Sequence, residues 1–171
     1  MAERQFNVLF LCTHNSARSI IAEAITNKFG KAKLHGYSAG SHPGGRVHPY
    51  AIELLTGLGY DTRGLRSKSW DEFGRLDAPQ MDFIFTVCDE AANEVCPVWP
   101  GQPMTAHWGL ADPSRVEGTE AQKRFAFANA HRLLRHRIDL FLNLPVASLE
   151  RLALQKKLDD IGRSTHTPEK A

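Results

Sequence analysis

Apolar positions fall along this chain in two alternating rhythms. Phe6–Leu11 is a nearly continuous apolar run, the pattern of a strand buried on both faces of a parallel sheet. A small polar loop over residues 12–18 follows. Ser19 then opens a segment carrying Ile21, Ile25 and Phe29 on one helical face, closed by Gly30, a good helix-ending residue. Leu34–Ala39 reads as a second strand before the turn-rich Gly40–Gly45, and Pro49 suits the first turn of a helix through Leu55 that stops near Gly57 and Gly59. Met81–Val87 is the clearest later strand. Residues 89–103 hold Pro97, Pro100 and Pro103 and read as a long ordered loop, of a length that tends to carry function. Thr105–Trp108 predicts a short fourth strand. Thr119 and Gln122 form a capping-box pattern, and Phe127, Leu134, Ile138 and Phe141 continue as a helical stripe to about Leu142. Beyond Pro145, Leu154, Leu158 and Ile161 predict a last helix ending at Gly162.

Strands alternating with helices imply an α/β sandwich with a parallel sheet. No repeat or second domain is visible, so residues 1–162 are read as one domain and residues 163–171 as a flexible tail. In such sheets ligands bind beyond the C-terminal strand ends, where the loops carrying Cys12 and Cys88 lie. Composition narrows the class. The 171 residues carry 21 Lys and Arg against 19 Asp and Glu, a net charge of +2, which argues against a nucleic-acid binder or an acidic solvating tail. The apolar share of 42% is that of an ordinary globular chain. No apolar run approaches the roughly 18 residues of a membrane span, and Met1–Phe6 does not read as a signal peptide. A cytoplasmic protein that meets neither membrane nor nucleic acid is expected. Three cysteines, Cys12, Cys88 and Cys96, are too few and odd in number for a secreted disulfide framework. They are buried filler, a metal site or reactive chemistry.

Cys12-Thr13-His14-Asn15-Ser16-Ala17-Arg18-Ser19 decides among these. Between a buried strand and a helix, such a loop can wrap so that successive N–H groups point inward as an anion nest. Arg18 adds a planar fork for two oxygens of a tetrahedral oxyanion. The same positive surroundings are expected to favour the Cys12 thiolate, with Ser19 donating a hydrogen bond to its sulfur and Asn15 bracing the loop in the left-handed region.

Cys12–Ser19 resembles the phosphate-binding loop of the low-molecular-weight protein tyrosine phosphatases and of the arsenate reductases that share their fold. Asp112-Pro113 matches the position of that superfamily's Asp-Pro general acid, a role that calls for a carboxyl kept neutral beside the anion site. Residues 86–101, with Cys88 and Cys96, resemble the redox segment of the arsenate reductases, and His107–Ser114 and Glu117–Thr119 are similar to the stretch after that segment in those enzymes. The phosphatases place tyrosines after their Asp-Pro, where Ser114 and Arg115 stand here. The resemblance, from about Val8 to Ile161, implies a three-layer sandwich: a central, mainly parallel four-stranded sheet flanked by helices. It implies reduction of arsenate by a thiol relay. Cys12 attacks arsenate, Cys88 attacks Cys12 and releases arsenite, Cys96 attacks Cys88, and an external thiol reductant (thioredoxin, or glutathione with glutaredoxin) regenerates the enzyme. Thr13, His14, Asn15, Ser16, Ala17, Arg18 and Ser19 would bind the oxyanion. No bound cofactor, no metal and a monomer are expected. If Asp89–Val95 is helical, its ends lie roughly 12 Å apart, beyond disulfide reach, so this segment is expected to unwind on oxidation.

Two departures stand out. Seven residues separate Cys88 from Cys96, against six in the thioredoxin-linked reductases, which leaves the donor open. Some relatives bind potassium near the loop; Asn15 and Glu23 match two ligand positions, but Arg66 and Lys68 occupy others, so no potassium requirement is expected. A phosphatase, which would not need Cys88 and Cys96, and a non-enzymatic arsenite-binding or redox-sensing protein remain as rival readings. A zinc site on Cys88, Cys96 and His107 lacks compact ligand spacing. His14, His35, His42 and His48 read as surface or satisfied residues, His107 and Trp108 as packing for the Asp112 loop, and Arg132, Arg135, His136 and Arg137 as a solvated helix face.

Overall fold

A computed structural model describes residues 5–88 and 102–164. Cys96, the expected unwinding of residues 89–95 and the tail beyond Ser164 lie outside the described residues. The strands β1 (Phe6–Cys12), β2 (Leu34–Gly40), β3 (Phe83–Thr86) and β4 (Met104–His107) form a four-stranded sheet in the order β2-β1-β3-β4, parallel throughout. The helices are α1 (Arg18–Phe29), α2 (Pro49–Gly57), α3 (Glu120–Leu142) and α4 (Arg151–Arg163), with short 3-10 turns at Trp70–Phe73, Pro113–Arg115 and Val146–Ser148. The result is an α/β sandwich, as the alternation of rhythms implies.

Strand pleating divides β1 between two cores. Val8, Phe10 and Cys12 face the larger one, shared with α1, α2, α3 and α4; Leu9 and Leu11 face a smaller one with Ala39, Phe73, Met81 and Ile84. The β3 ladder starts two residues later than the apolar run suggests, because the Asp82 carboxylate turns back to accept from the N–H of Asn7 at 2.8 Å. The capping box at Thr119 is formed in both directions. Pro49 stands at the head of α2, and His48 caps that helix by accepting from Tyr50 N–H at 3.1 Å. His48 is thus a half-buried, satisfied histidine, its ring tilted against Phe127 at 4.8 Å, and burial lowers its pKa.

The edge strand β4 leads into Trp108, which is fully buried, stacked on Phe85 at 4.0 Å and donating from Nε1 to Leu158 O at 3.0 Å. Gly162 of α4 lies against this corner; a Cβ there would overlap His107 O and stand 2.8 Å from Trp108 Cδ1. In an open helix, glycine to alanine gains roughly 1 kcal/mol. Here the clash decides the sign. Gly162→Ala is expected to cost roughly 1–3 kcal/mol, read as a fall of several degrees in the melting temperature; an unchanged or higher midpoint would show that α4 does not press on β4 in this way.

Candidate active site

β1 delivers Cys12 to the C-terminal edge of the sheet, and the chain then reverses to begin α1 at Arg18. The reversal is shaped from outside. The carbonyls of Cys12, Thr13, His14 and Ser16 accept from the N–H groups of Ser41 (3.2 Å), His42 (2.8 Å), Gly44 (3.1 Å) and His48 (2.8 Å). With these carbonyls held outward, the intervening N–H groups turn inward, and two reach sulfur: Asn15 N–H donates to Cys12 Sγ and Thr13 N–H to Cys88 Sγ, each at 3.2 Å. Asn15 makes the turn at φ 49°, a left-handed conformation that asparagine tolerates. Gly40 lets the loop lie close, since a Cβ there would stand 2.5 Å from Thr13 O and 3.0 Å from Asn15 N. Ala17 gives α1 no side-chain cap and its first turn holds no acid, so the positive helix end is open to an anion.

Asn15 and Ser19 link the loop to the Cys12 sulfur. The N–H of Lys68 donates to Asn15 Oδ1 at 2.8 Å, which leaves Asn15 Nδ2 to donate to Ser19 Oγ at 2.8 Å. Ser19 Oγ lies 3.0 Å from Cys12 Sγ, and its hydrogen, not needed by Asn15, is available to a thiolate there. The Cys12 thiol nevertheless stands well above its ordinary pKa. The hydrogen-bonded Cys88 thiol raises it most and burial next, while Ser19 and the Asn15 N–H offset only part. The expected thiolate-favouring loop is therefore corrected. Its donors pull in that direction, but Cys12 and Cys88, both buried and unbridged, share their ionisation.

Arg18, buried in the first turn of α1, donates from Nη1 to Leu110 O at 3.0 Å and faces Asp112 Oδ2 from Nη2 at 3.4 Å. Asp112 heads the Pro113–Arg115 turn, accepting from Ser114 N–H at 2.9 Å and Ser114 Oγ at 2.7 Å. Burial by itself would raise its pKa, but the two Ser114 donors with Arg18 and Arg115 hold the carboxyl below the usual range. Asp112 is thus an ionised carboxylate in this geometry and not the neutral acid expected. The role of Leu110 O was invisible in the sequence, because a backbone acceptor leaves no residue-type signal; the Ser114 hydroxyl, two residues after Asp112, was visible only as a residue type.

The chain brings Cys12, Thr13, Asn15, Arg18, Ser19, Cys88 and Asp112 together. His14 is exposed, its Nδ1 3.2 Å from His42 O, while Ser16 and Ala17 contribute backbone: Ser16 O receives His48 N–H and Ala17 O starts the helical ladder. The potassium positions are filled differently. Lys68 Nζ donates to Ser38 O at 2.9 Å and Ser38 Oγ at 3.3 Å and stands 3.7 Å from Glu23 Oε1, so a buried ammonium holds the oxygens a monovalent cation would take, and the residues present do not fit potassium. Arg66 takes no part; it grips Glu72 at 2.6 and 3.1 Å near the surface. Arg137, read as solvated, is buried. A cavity of about 760 Å³ opens at the opposite strand ends around Phe6, Leu34, Phe83 and Met104, away from Cys12.

Comparison with known proteins agrees with this geometry. A family model described as low molecular weight phosphotyrosine protein phosphatase matches residues 7–156. An arsenate reductase of Halalkalibacterium halodurans is 33% identical over 134 residues, covering 78% of this chain and 93% of the relative. Among solved structures, the arsenate reductase from Archaeoglobus fulgidus superposes with a TM-score of 0.57 at 30% identity, covering 75% of this chain and 95% of that one. An arsenate reductase in the phosphate binding state reaches 0.63 at 25% identity, covering 81% and 97%.

Lys68 gives a direct expectation. Melting temperature and turnover are expected to be indistinguishable in potassium and sodium chloride of equal ionic strength. Lys68→Met, which leaves Glu23 buried beside Ser38, is expected to lose roughly 3 kcal/mol and to melt higher in potassium than in sodium. Thermal melts of both proteins in the two salts check this; potassium-dependent stability in the unmodified protein would contradict it.

Proposed function

The chain belongs to the low molecular weight phosphotyrosine protein phosphatase family, and we propose that within it the protein reduces arsenate to arsenite by a relay of Cys12, Cys88 and Cys96. The single observation carrying this reading is the placement of a second buried cysteine under the loop: Cys88 Sγ accepts from the N–H of Thr13, the residue next to Cys12, at 3.2 Å. A phosphoester hydrolase needs one sulfur there. A second thiol within reach of the first is what a disulfide-forming step requires. The arsenate reductase relatives point the same way.

Arsenate enters the loop against the inward N–H groups and the α1 terminus, and takes over the Arg18 fork. Asp112, left beside an anion, gains a proton. The Cys12 thiol passes its proton to an oxygen of the arsenate dianion, its sulfur forms a bond to arsenic as an As–O bond breaks, and the departing hydroxyl leaves as water on a proton from Asp112. Cys88 Sγ, held by Thr13 N–H, then attacks Cys12 Sγ. An S–S bond forms, the S–As bond breaks, and its electron pair stays on arsenic, which leaves as arsenite, reduced by two electrons. Cys96 attacks Cys88, frees Cys12 and leaves a Cys88–Cys96 disulfide, which an external thiol reductant, thioredoxin or glutathione with glutaredoxin, returns to thiols. No bound cofactor enters.

The chain's three cysteines make the test simple. Reduced protein treated with arsenate and no added reductant is expected to lose two of its three titratable thiols, and to lose none with phosphate. Cys88→Ser is expected to abolish arsenite release, and Arg18→Ala to lower kcat/KM roughly 10²–10³-fold. Full retention of thiols with arsenate, alongside efficient hydrolysis of a chromogenic phosphoester, would replace this reading with a phosphatase.

A further inference from the structure

Arg137 is a buried cation in an unexpected place. It sits on the apolar stripe of α3, 3% exposed, and among the described residues it has no carboxylate partner. Its donors go to backbone instead: Nη1 to Trp108 O at 2.7 Å and Gly109 O at 3.1 Å, and Nε to Ser164 O at 3.2 Å. Burial lowers the guanidinium's pKa, yet arginine remains charged at any working pH. Burying such a charge is costly, and an apolar side chain of similar bulk would serve packing better.

What Arg137 holds is the segment that carries Asp112. Residues 108–110 are tied to β3 through Trp108 N–H on Thr86 O at 2.7 Å and Leu110 N–H on Val87 O at 3.2 Å. The next carbonyl, Leu110 O, receives Arg18, which also faces Asp112. Two arginines thus take three successive carbonyls, Arg137 from the α3 side and Arg18 from the loop. Arg18 must turn to an incoming oxyanion. Arg137 is then the cation that still holds the segment's carbonyls, beside the buried Trp108 ring.

We propose that Arg137 is a positioning residue for Asp112, holding the 108–112 segment through Trp108 O and Gly109 O while Arg18 engages the substrate. The inference rests on the proposed role of Asp112 as proton donor, and a double-mutant cycle tests it. Arg137→Met is expected to lower kcat for arsenate at least about tenfold while KM stays within about twofold, since the oxyanion loop is untouched. In an Asp112→Asn background the same change is expected to alter kcat by less than about twofold. Arg137→Lys, which keeps the charge but cannot reach all three carbonyls, is the gentler variant and is expected to show a smaller loss that likewise vanishes with Asp112→Asn. Losses that multiply in the double variants, or a KM effect alone, would overturn the proposal.

A readout independent of turnover separates this from the reductase reading. The ¹³C carboxyl signal of Asp112, followed from acid to neutral pH, is expected to titrate higher in Arg137→Lys than in the unmodified protein, as the segment slackens its hold on Arg18 and Ser114. An identical titration would show that Arg137 does not position Asp112, whichever oxyanion the protein turns over. The same cycle run with a chromogenic phosphoester reads Arg137 even if arsenate is not reduced.

Discussion

Two thiols buried beside each other resist ionising together, because each negative charge raises the other's proton affinity. That constraint follows from the register of the sheet. Leu11 pairs with Thr86, so β1 and β3 end side by side and set Cys12 and Cys88 against each other under one loop. Each sulfur has its own donor set: Asn15 N–H and the Ser19 hydroxyl for Cys12, Thr13 N–H for Cys88. Neither set suffices to ionise both thiols, because the partner sulfur and burial hold Cys12 up. The charge instead belongs to the pair, and shifting one proton between the sulfurs moves it from the atom that would attack arsenic to the atom that would attack sulfur. A phosphatase loop with a lone cysteine has no such second seat for the charge.

Around this pair, among the described residues, the fold buries Lys68, Arg18 and Arg137, and each donates to at least one backbone carbonyl. Lys68 lies on Ser38 O, Arg18 on Leu110 O, and Arg137 on Trp108 O and Gly109 O. Carbonyl dipoles satisfy donors without cancelling the charge, and Arg137 is the clearest case, since its acceptors among the described residues are all backbone carbonyls. Of the two carboxylates that approach, Asp112 beside Arg18 stays ionised, whereas Glu23 beside Lys68 is partly disarmed. Burial raises the pKa of Glu23, against the opposing pull of Lys68 and Ser38. The energetic cost of burying these ions falls on the elements that frame the loop, β2, α1 and α3.

The frame was legible in the sequence wherever periodicity and chemistry coincide. The buried run of β1, the Cys12–Ser19 loop before α1, the Pro49 helix start and the Thr119 capping box all follow from residue type and spacing. What escaped was set by partners distant in sequence. The ionisation of Asp112 depends on Ser114 and Arg18, and the raised Cys12 on Cys88. Arg137 is different, since its signal was available: it lies three residues after Leu134 and four before Phe141, squarely on the stripe that becomes the core. A cation on an apolar stripe is a buried residue in search of acceptors, and reading it with its neighbours Arg132, Arg135 and His136 as one solvated face obscured that.

The Arg18–Asp112 pair gives the proposed chemistry its order of events. At 3.4 Å, with side chains 8% and 13% exposed, the pair closes Arg18 to any anion that offers less than Asp112 already does. A halide or a small carboxylate offers no more charge than Asp112, and one contact face. A tetrahedral dianion offers two charges and, beyond the two oxygens it gives to Arg18, further oxygens for the inward N–H groups and the open end of α1. Only such a ligand gains enough to displace the carboxylate. Once displaced, Asp112 has lost a cation and acquired an anion, both of which raise its proton affinity. The substrate that breaks the ion pair thereby loads the acid that its own leaving oxygen requires, and the ionised carboxylate of the closed pair and the proton donor of the reaction are successive states of one residue.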